Sequence, residues 1–87
     1  MTAKTTIINE IASKVGANYS AWQIGITEDA AKRKGEWGQT KNVSSWTHWK
    51  ADSSTDAKDI EAHFLRKGLK GGTGGDIGRN TVFVYIF

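Results

Sequence analysis

The segment TVFVYIF, residues 81–87, decides the fold. Side chains of a strand alternate between the two faces of a sheet. Both alternating sets of this segment are apolar: Val82, Val84 and Ile86 on one face, and Phe83, Tyr85 and Phe87 on the other. A strand with two apolar faces is covered on both sides. We therefore expect the segment to pair within the sheet, at its centre.

Working back from this strand, the sequence predicts five more elements. The pattern of apolar residues predicts helices over residues 4–15, 28–34 and 56–67, and strands over residues 21–26 and 46–51. The chain thus alternates helix and strand three times. We expect one α/β (α+β) domain over residues 1–87, with a small three-stranded sheet, antiparallel or mixed, flanked by three helices.

Cap residues and glycines mark the ends of the predicted helices. Thr5 or Thr6 and Thr27 are expected as N-caps, and Gly16, Gly35 and Gly68 as the residues that end the helices. Residues 36–45 are polar and predict a loop. The glycine-rich stretch Gly71–Gly75, extending to Gly78, predicts a connector, with a backbone nest for an anion or a nucleotide site as alternatives.

Composition limits the kinds of protein that this chain can be. The chain has 87 residues, no cysteine and a net charge of +3. Without cysteine it has neither disulfides nor thiolate metal ligands, which suits a reducing cytoplasm. The first 14 residues contain no unbroken apolar run, so we expect neither a signal peptide nor a membrane span. The mild positive charge permits nucleic-acid partners. A monomer is our working assumption.

Glu61 is the first candidate functional residue. It follows Ala57 by four residues and precedes Phe64 by three, so it projects from the inward stripe of its helix or from the margin of that stripe. A carboxylate there costs free energy unless it is paired or bound to a metal. The alternative is a flanking glutamate that reaches solvent or pairs with a lysine.

Arg33 is the second candidate. It lies in the last turn predicted for the second helix, between Lys32 and Lys34. Cations are favoured at a helix C-terminus, which accounts for all three residues without any function. A guanidinium in this place can also form paired hydrogen bonds with a phosphate.

Taken together, these features resemble the GIY-YIG nuclease family. The run QIGITED, residues 23–29, with Arg33 eight residues after Gly25, is similar to the second half of the motif that gives this family its name. A strand and then a helix with a glutamate follow in the family. Here residues 46–51 and the helix with Glu61 take those places in the same order. The resemblance covers residues 22–64.

The resemblance implies a metal-dependent endonuclease acting on DNA or RNA. By analogy Arg33 would neutralise the scissile phosphate and Glu61 would hold Mg²⁺ or Mn²⁺. Lys32, Arg33, Lys34 and Trp37 would contact nucleic acid. The resemblance also predicts that Arg33 and Glu61 lie on the same side of the sheet, facing a shared concavity.

The motif tyrosines of the family are replaced in this chain. Gln23 stands in the place of one tyrosine, and no Gly-Ile-Tyr strand precedes it. We expect residues 81–87 to take the place of that absent strand, and Tyr85 to stand in for the lost tyrosine as a third catalytic residue. Packing of Tyr85 in the core is the alternative. Gln23 favours a second function, a non-catalytic module of the same fold that binds nucleic acid or protein.

Overall fold

The computed structural model describes residues 3–71 and 81–87 of the chain. Over these residues a short 3₁₀ turn, Tyr19–Ala21, accompanies three α-helices and four β-strands. The helices are α1 (Lys4–Val15), α2 (Ala30–Gly38) and α3 (Ser54–Lys67), and the strands are β1 (Gln23–Thr27), β2 (Thr47–Lys50), β3 (Lys70–Gly71) and β4 (Phe83–Ile86). The predicted α+β class is confirmed. No helix in the described part of the chain is long and apolar enough to span a bilayer.

Strand β4 lies inside the sheet, as its two apolar faces predict. The strand order is β2-β4-β1-β3, and β4 is antiparallel to both of its neighbours. In this register Tyr85 lies between Gly25 of β1 and His48 of β2. Among the described strands, the one that comes last in sequence therefore lies between β2 and β1.

The sheet has a fourth strand that the sequence pattern does not predict. Strand β3 pairs in parallel with the beginning of β1, and the Lys70 amide donates to the Trp22 carbonyl at 3.0 Å. Two residues are too few to show a periodic pattern. The sheet therefore has one short strand more than the three that the sequence predicts. Gly71, predicted as the start of a glycine connector, belongs to β3. The rest of that connector lies outside the described residues.

Helices α1 and α3 pack together on one face of the sheet. That face carries Ile24, Val84 and Ile86, all nearly inaccessible to solvent. The helices contribute Ile7, Ile11, Val15, Ala57, Ile60 and Phe64 to the same cluster. Burying an aliphatic side chain of this kind contributes roughly 1.5–3 kcal/mol. This aliphatic layer is the core of the fold.

Helix α2 differs from its prediction at both ends. Its N-cap is Asp29, whose Oδ1 accepts a hydrogen bond from the Lys32 amide at 3.0 Å, and not Thr27. The helix also runs through Gly35 to Gly38, so Arg33 lies in its middle, and the first residues of the predicted 36–45 loop are helical. Glycine inside a helix costs about 1 kcal/mol. Packing of Trp37 against the sheet offsets this cost.

The other two helices follow their predictions closely. Helix α1 spans the predicted residues, but no side chain caps its start, so the expected role of Thr5 or Thr6 was wrong. Helix α3 begins two residues early because Ser53 is its N-cap and accepts from the Asp56 amide at 3.1 Å. Gly68 has a φ of 114°, the left-handed conformation expected at the end of this helix.

Candidate functional site

The Tyr85 side chain lies across the backbone of strand β1. A methyl group placed on Gly25 would overlap the Tyr85 hydroxyl, so only glycine leaves room for the ring in this position. Trp46 stacks on the same ring, with centroids 4.4 Å apart and planes inclined by 10°. Tyr85 is consequently only 4% exposed.

Among the residues that the structure describes, the Tyr85 hydroxyl has one hydrogen-bond partner, Trp37 of α2. The indole Nε1–H of Trp37 donates to the phenol oxygen at 2.9 Å, and its ring also packs on Phe87 with centroids 5.1 Å apart. Because the oxygen accepts from Trp37, the phenol proton must point away from the indole. The proton is thus oriented for any acceptor that approaches from another side.

Three charged side chains lie close enough to Tyr85 to act on its ionisation. Burial raises the pKa of the phenol above its usual value, and the charges of Glu61 and Glu36 act in the same direction. The hydrogen bond from Trp37 and the charge of Arg33 oppose this rise. Tyr85 is therefore protonated at neutral pH.

Arg33 belongs to the stripe of α2 that faces the sheet. It follows Ala30 by three residues and precedes Trp37 by four, which places all three on one side of a helix. Its Nε lies 3.1 Å from an oxygen of Glu36, and both side chains remain about half exposed. An exposed pair of this kind contributes about 0–1 kcal/mol. A phosphate can therefore replace Glu36 as the partner of Arg33.

Glu61 lies where its helical position predicts, at the margin of the apolar stripe of α3. It is half-buried, and burial raises the pKa of its carboxyl above the usual value. Within the described residues no cation lies at ion-pair distance from it. The alternative of pairing with a lysine is therefore not what the structure shows. Glu61 is a partly desolvated carboxylate with no counter-ion among residues 3–71 and 81–87.

Arg33 and Glu61 come from opposite sides of the sheet. Helix α3 packs on the aliphatic face, whereas Trp37 of α2 contacts Tyr85 on the other face. The expectation that Arg33 and Glu61 lie on the same side of the sheet was therefore wrong for the helices that carry them. The charges of both residues nevertheless act on the ionisation of Tyr85, whose hydroxyl lies over Gly25.

The remaining predicted residues lie around α2. Lys32 and Lys34 are exposed, as contact with a nucleic-acid backbone requires. Trp37 is half-buried and uses its N–H on Tyr85, so its first role in the fold is to position that hydroxyl. In the part of the chain described, no three acidic, histidine or cysteine side chains gather to form a metal centre. Glu61 remains the single candidate ligand from the sequence.

Two residues of the site were missed in the sequence. Glu36, predicted to be in a loop, pairs with Arg33 from one turn further along α2. Trp46 was assigned to a strand face, but its partner Tyr85 depends on the register between β2 and β4. The alternation of Trp46 and His48 indicates that their side chains share one face of the sheet. Only the strand order shows that Trp46 meets Tyr85 on that face.

The chain was also compared with models of protein families, with curated proteins and with solved structures, and nothing matches it. No relative therefore transfers a role to any residue. The function is argued below from the arrangement around Tyr85.

Proposed function

We propose that this protein is a divergent GIY-YIG-like domain that binds nucleic acid and cleaves its phosphodiester backbone with a divalent metal. The observation that carries the proposal is that the charges of Arg33 and Glu61 both act on Tyr85, whose hydroxyl lies over Gly25 and accepts from Trp37. A cation, a carboxylate and a phenol are the groups that the sequence resemblance implies for this chemistry. The central position of β4 supports its role as the replacement for the family's first strand.

In this proposal Arg33 binds the scissile phosphate. Its guanidinium is half exposed and its partner, Glu36, is a weakly bound surface group. Arginine forms paired hydrogen bonds with phosphate oxygens, and it stabilises the charge that builds up on them during cleavage. Lys32 and Lys34, one residue to either side, add positive charge along the path of the backbone.

Glu61 suits the role of metal ligand. Mg²⁺ and similar hard cations bind through one or two carboxylates, keep several waters and take further oxygens from substrate phosphate. A partly desolvated carboxylate that no cation of the described residues pairs with fits that requirement. When bound, the metal supplies a Lewis acid for the phosphate oxygens. Ionisation of Glu61 is a condition for binding, so its raised pKa makes activity fall in acid.

Tyr85 acts as an orienting donor. Its raised pKa keeps the phenol protonated at neutral pH, so it is not a general base. Because Trp37 donates to the phenol oxygen, the hydroxyl proton is free to be given to a water or to a phosphate oxygen. The electrostatic influence of Arg33 and Glu61 on Tyr85 supports this use.

The proposed partner is DNA or RNA, bound by a monomer in the cytoplasm. The net charge of +3 favours an anionic partner, and the absence of cysteine suits a reducing compartment. The exposed lysines of α2 support a contact with the backbone on the Tyr85 side of the sheet.

A labelled oligonucleotide assay tests the proposal. We expect cleavage of single-stranded or duplex substrate in Mg²⁺ or Mn²⁺ and none in EDTA. Arg33→Ala and Glu61→Gln should each lower the rate by about 100-fold or more. Arg66→Ala and Glu10→Gln, which change exposed residues away from the site, should retain the wild-type rate. Equal rates for Arg33→Ala and Arg66→Ala would contradict the proposal.

A second candidate is a module that binds nucleic acid without cleaving it. The observation in its favour is that Tyr85 is only 4% exposed and already hydrogen-bonded to Trp37. Binding by the wild-type protein that is sensitive to salt, together with no cleavage in either metal, would establish this candidate instead.

A further inference from the structure

The two faces of the sheet differ in the kind of apolar residue that they carry. The face packed under α1 and α3 is aliphatic, with Ile24, Val84 and Ile86. On the opposite face, the described strands β1, β2 and β4 present no isoleucine, leucine or valine. The side chains there are Gln23, Thr27, His48, Lys50, Phe83 and Tyr85, continued by Trp46 before β2 and Phe87 after β4.

The rings on this second face form a continuous row, which we call the aromatic face: Trp37, Trp46, His48, Phe83, Tyr85 and Phe87. Trp46 lies nearly parallel to both Tyr85 and Phe87, with planes inclined by 10° and 20°. His48 meets the Phe83 ring edge-on at 5.9 Å. Apart from the buried Tyr85, every member keeps part of its surface exposed.

Lysines lie at both ends of the aromatic face. At one end the Lys50 ammonium is 6.0 Å from the centre of the Phe83 ring. Beyond Phe87, at the other end, is a cleft of about 170 Å³. Its lining includes Lys41, Lys70 and the ring residue Trp22, and no acidic residue from the described ranges 3–71 and 81–87.

We propose that the aromatic face binds single-stranded nucleic acid, with unpaired bases stacked on its rings and backbone phosphates held by Lys50 at one end and by Lys41 and Lys70 at the other. The inference rests on the proposed nucleic-acid function and names the form of nucleic acid that the site takes. Aromatic side chains on a positively charged surface are the usual means of holding unpaired bases.

The composition of the face favours a nucleic acid over a protein partner. Lysine is depleted at protein interfaces, and their buried centres are the most apolar part. Here lysines lie at each end of the row of rings, and the described strands β1, β2 and β4 place no aliphatic side chain on this face. His48 is exposed and Trp37, Trp46, Phe83 and Phe87 are partly exposed. Stacking of a base on such a ring contributes roughly 1–3 kcal/mol.

The test is a titration of the full chain with a single-stranded oligonucleotide and with a duplex of equal length, in EDTA, followed by tryptophan fluorescence. We expect the single strand to quench the fluorescence and to bind about tenfold more tightly than the duplex. His48→Ala and Phe83→Leu should each weaken binding of the single strand about tenfold. His63→Ala, on α3, is the matched control and should bind like wild type. Unfolding midpoints confirm that each variant is folded.

The outcomes separate this inference from the proposed cleavage. Equal affinity for the two oligonucleotides, or binding that is insensitive to both variants, overturns the aromatic face as the site even when the protein cleaves duplex. Binding of single strands by the aromatic face without cleavage in metal upholds the inference and overturns the cleavage. No binding of either oligonucleotide, with self-association of the chain instead, overturns both.

Discussion

Gly25 has no side chain, and the Tyr85 hydroxyl occupies the space that one would fill. Gly25→Ala should therefore destabilise the protein by about 1–3 kcal/mol, since the buried Tyr85 ring has to move. Gly35→Ala is the matched control, because a methyl group there meets nothing within 4 Å. It should be neutral or stabilise α2 by up to about 1 kcal/mol. Urea unfolding measures both, and equal stabilities for the two variants would contradict the position of Tyr85.

Glu61 makes the stability of the fold depend on pH. Burial raises the pKa of its carboxyl, so the native state keeps the proton where the unfolded chain has already released it. The stability from this group is complete below the unfolded-state pKa and is lost as pH rises through the folded-state pKa. Glu61→Gln should consequently be more stable than wild type at pH 7. The gain is at most about 1 kcal/mol, because the carboxyl is only half-buried.

Urea unfolding at several pH values checks this prediction. The advantage of Glu61→Gln should disappear near about pH 3, where the wild-type carboxyl is protonated in both states. Glu10→Gln, on the exposed side of α1, should change stability little at either pH. A Glu61→Gln variant less stable than wild type at pH 7 would indicate that the carboxylate has a stabilising partner.

At the scale of elements, β4 holds the sheet together because both neighbouring strands pair with it. Ile86 is fully buried in this strand, and Ile86→Ala should cost about 2–5 kcal/mol. Ile8→Ala removes the same atoms from a half-buried position on α1 and should cost less. Thermal unfolding followed by circular dichroism compares the two.

Removal of the whole strand is the stronger form of this test. A chain that ends at residue 80 loses the central strand and should show no cooperative unfolding transition. A truncated chain that still unfolds cooperatively would contradict the central role of β4.

The sequence predicts best those elements whose pattern is local. The bounds of α1 and the end of α3 at Gly68 follow from spacing and caps, and the two apolar faces of residues 81–87 predict a central strand. Helix α2 extends past Gly35 because Trp37 contacts Tyr85. The two residues are far apart in the chain, so the sequence around Gly35 does not predict this contact. Strand β3 is defined only by its pairing with β1, and its two residues are too few to show a periodic pattern of apolar residues.

At the scale of the whole molecule, the site joins groups that are far apart in the chain. Helical phase alone predicts the half-buried position of Glu61, and the family resemblance singles out Arg33. Glu36 and Trp46 could not be predicted, because one depends on the true end of α2 and the other on the register of β2. The arrangement of α2 and α3 on opposite sides of the sheet also depends on tertiary packing.

The central claim is that Glu61, Arg33 and Tyr85 form one metal-dependent site. The most direct measurement is a titration with Mn²⁺ at substoichiometric amounts, followed by the relaxation of backbone amide signals. We predict selective broadening of the signals around Glu61 and around the paired residues Gly25 and Tyr85. This broadening should be lost in Glu61→Gln and retained in Glu10→Gln. Broadening that is centred elsewhere, or that persists in Glu61→Gln, would contradict the claim.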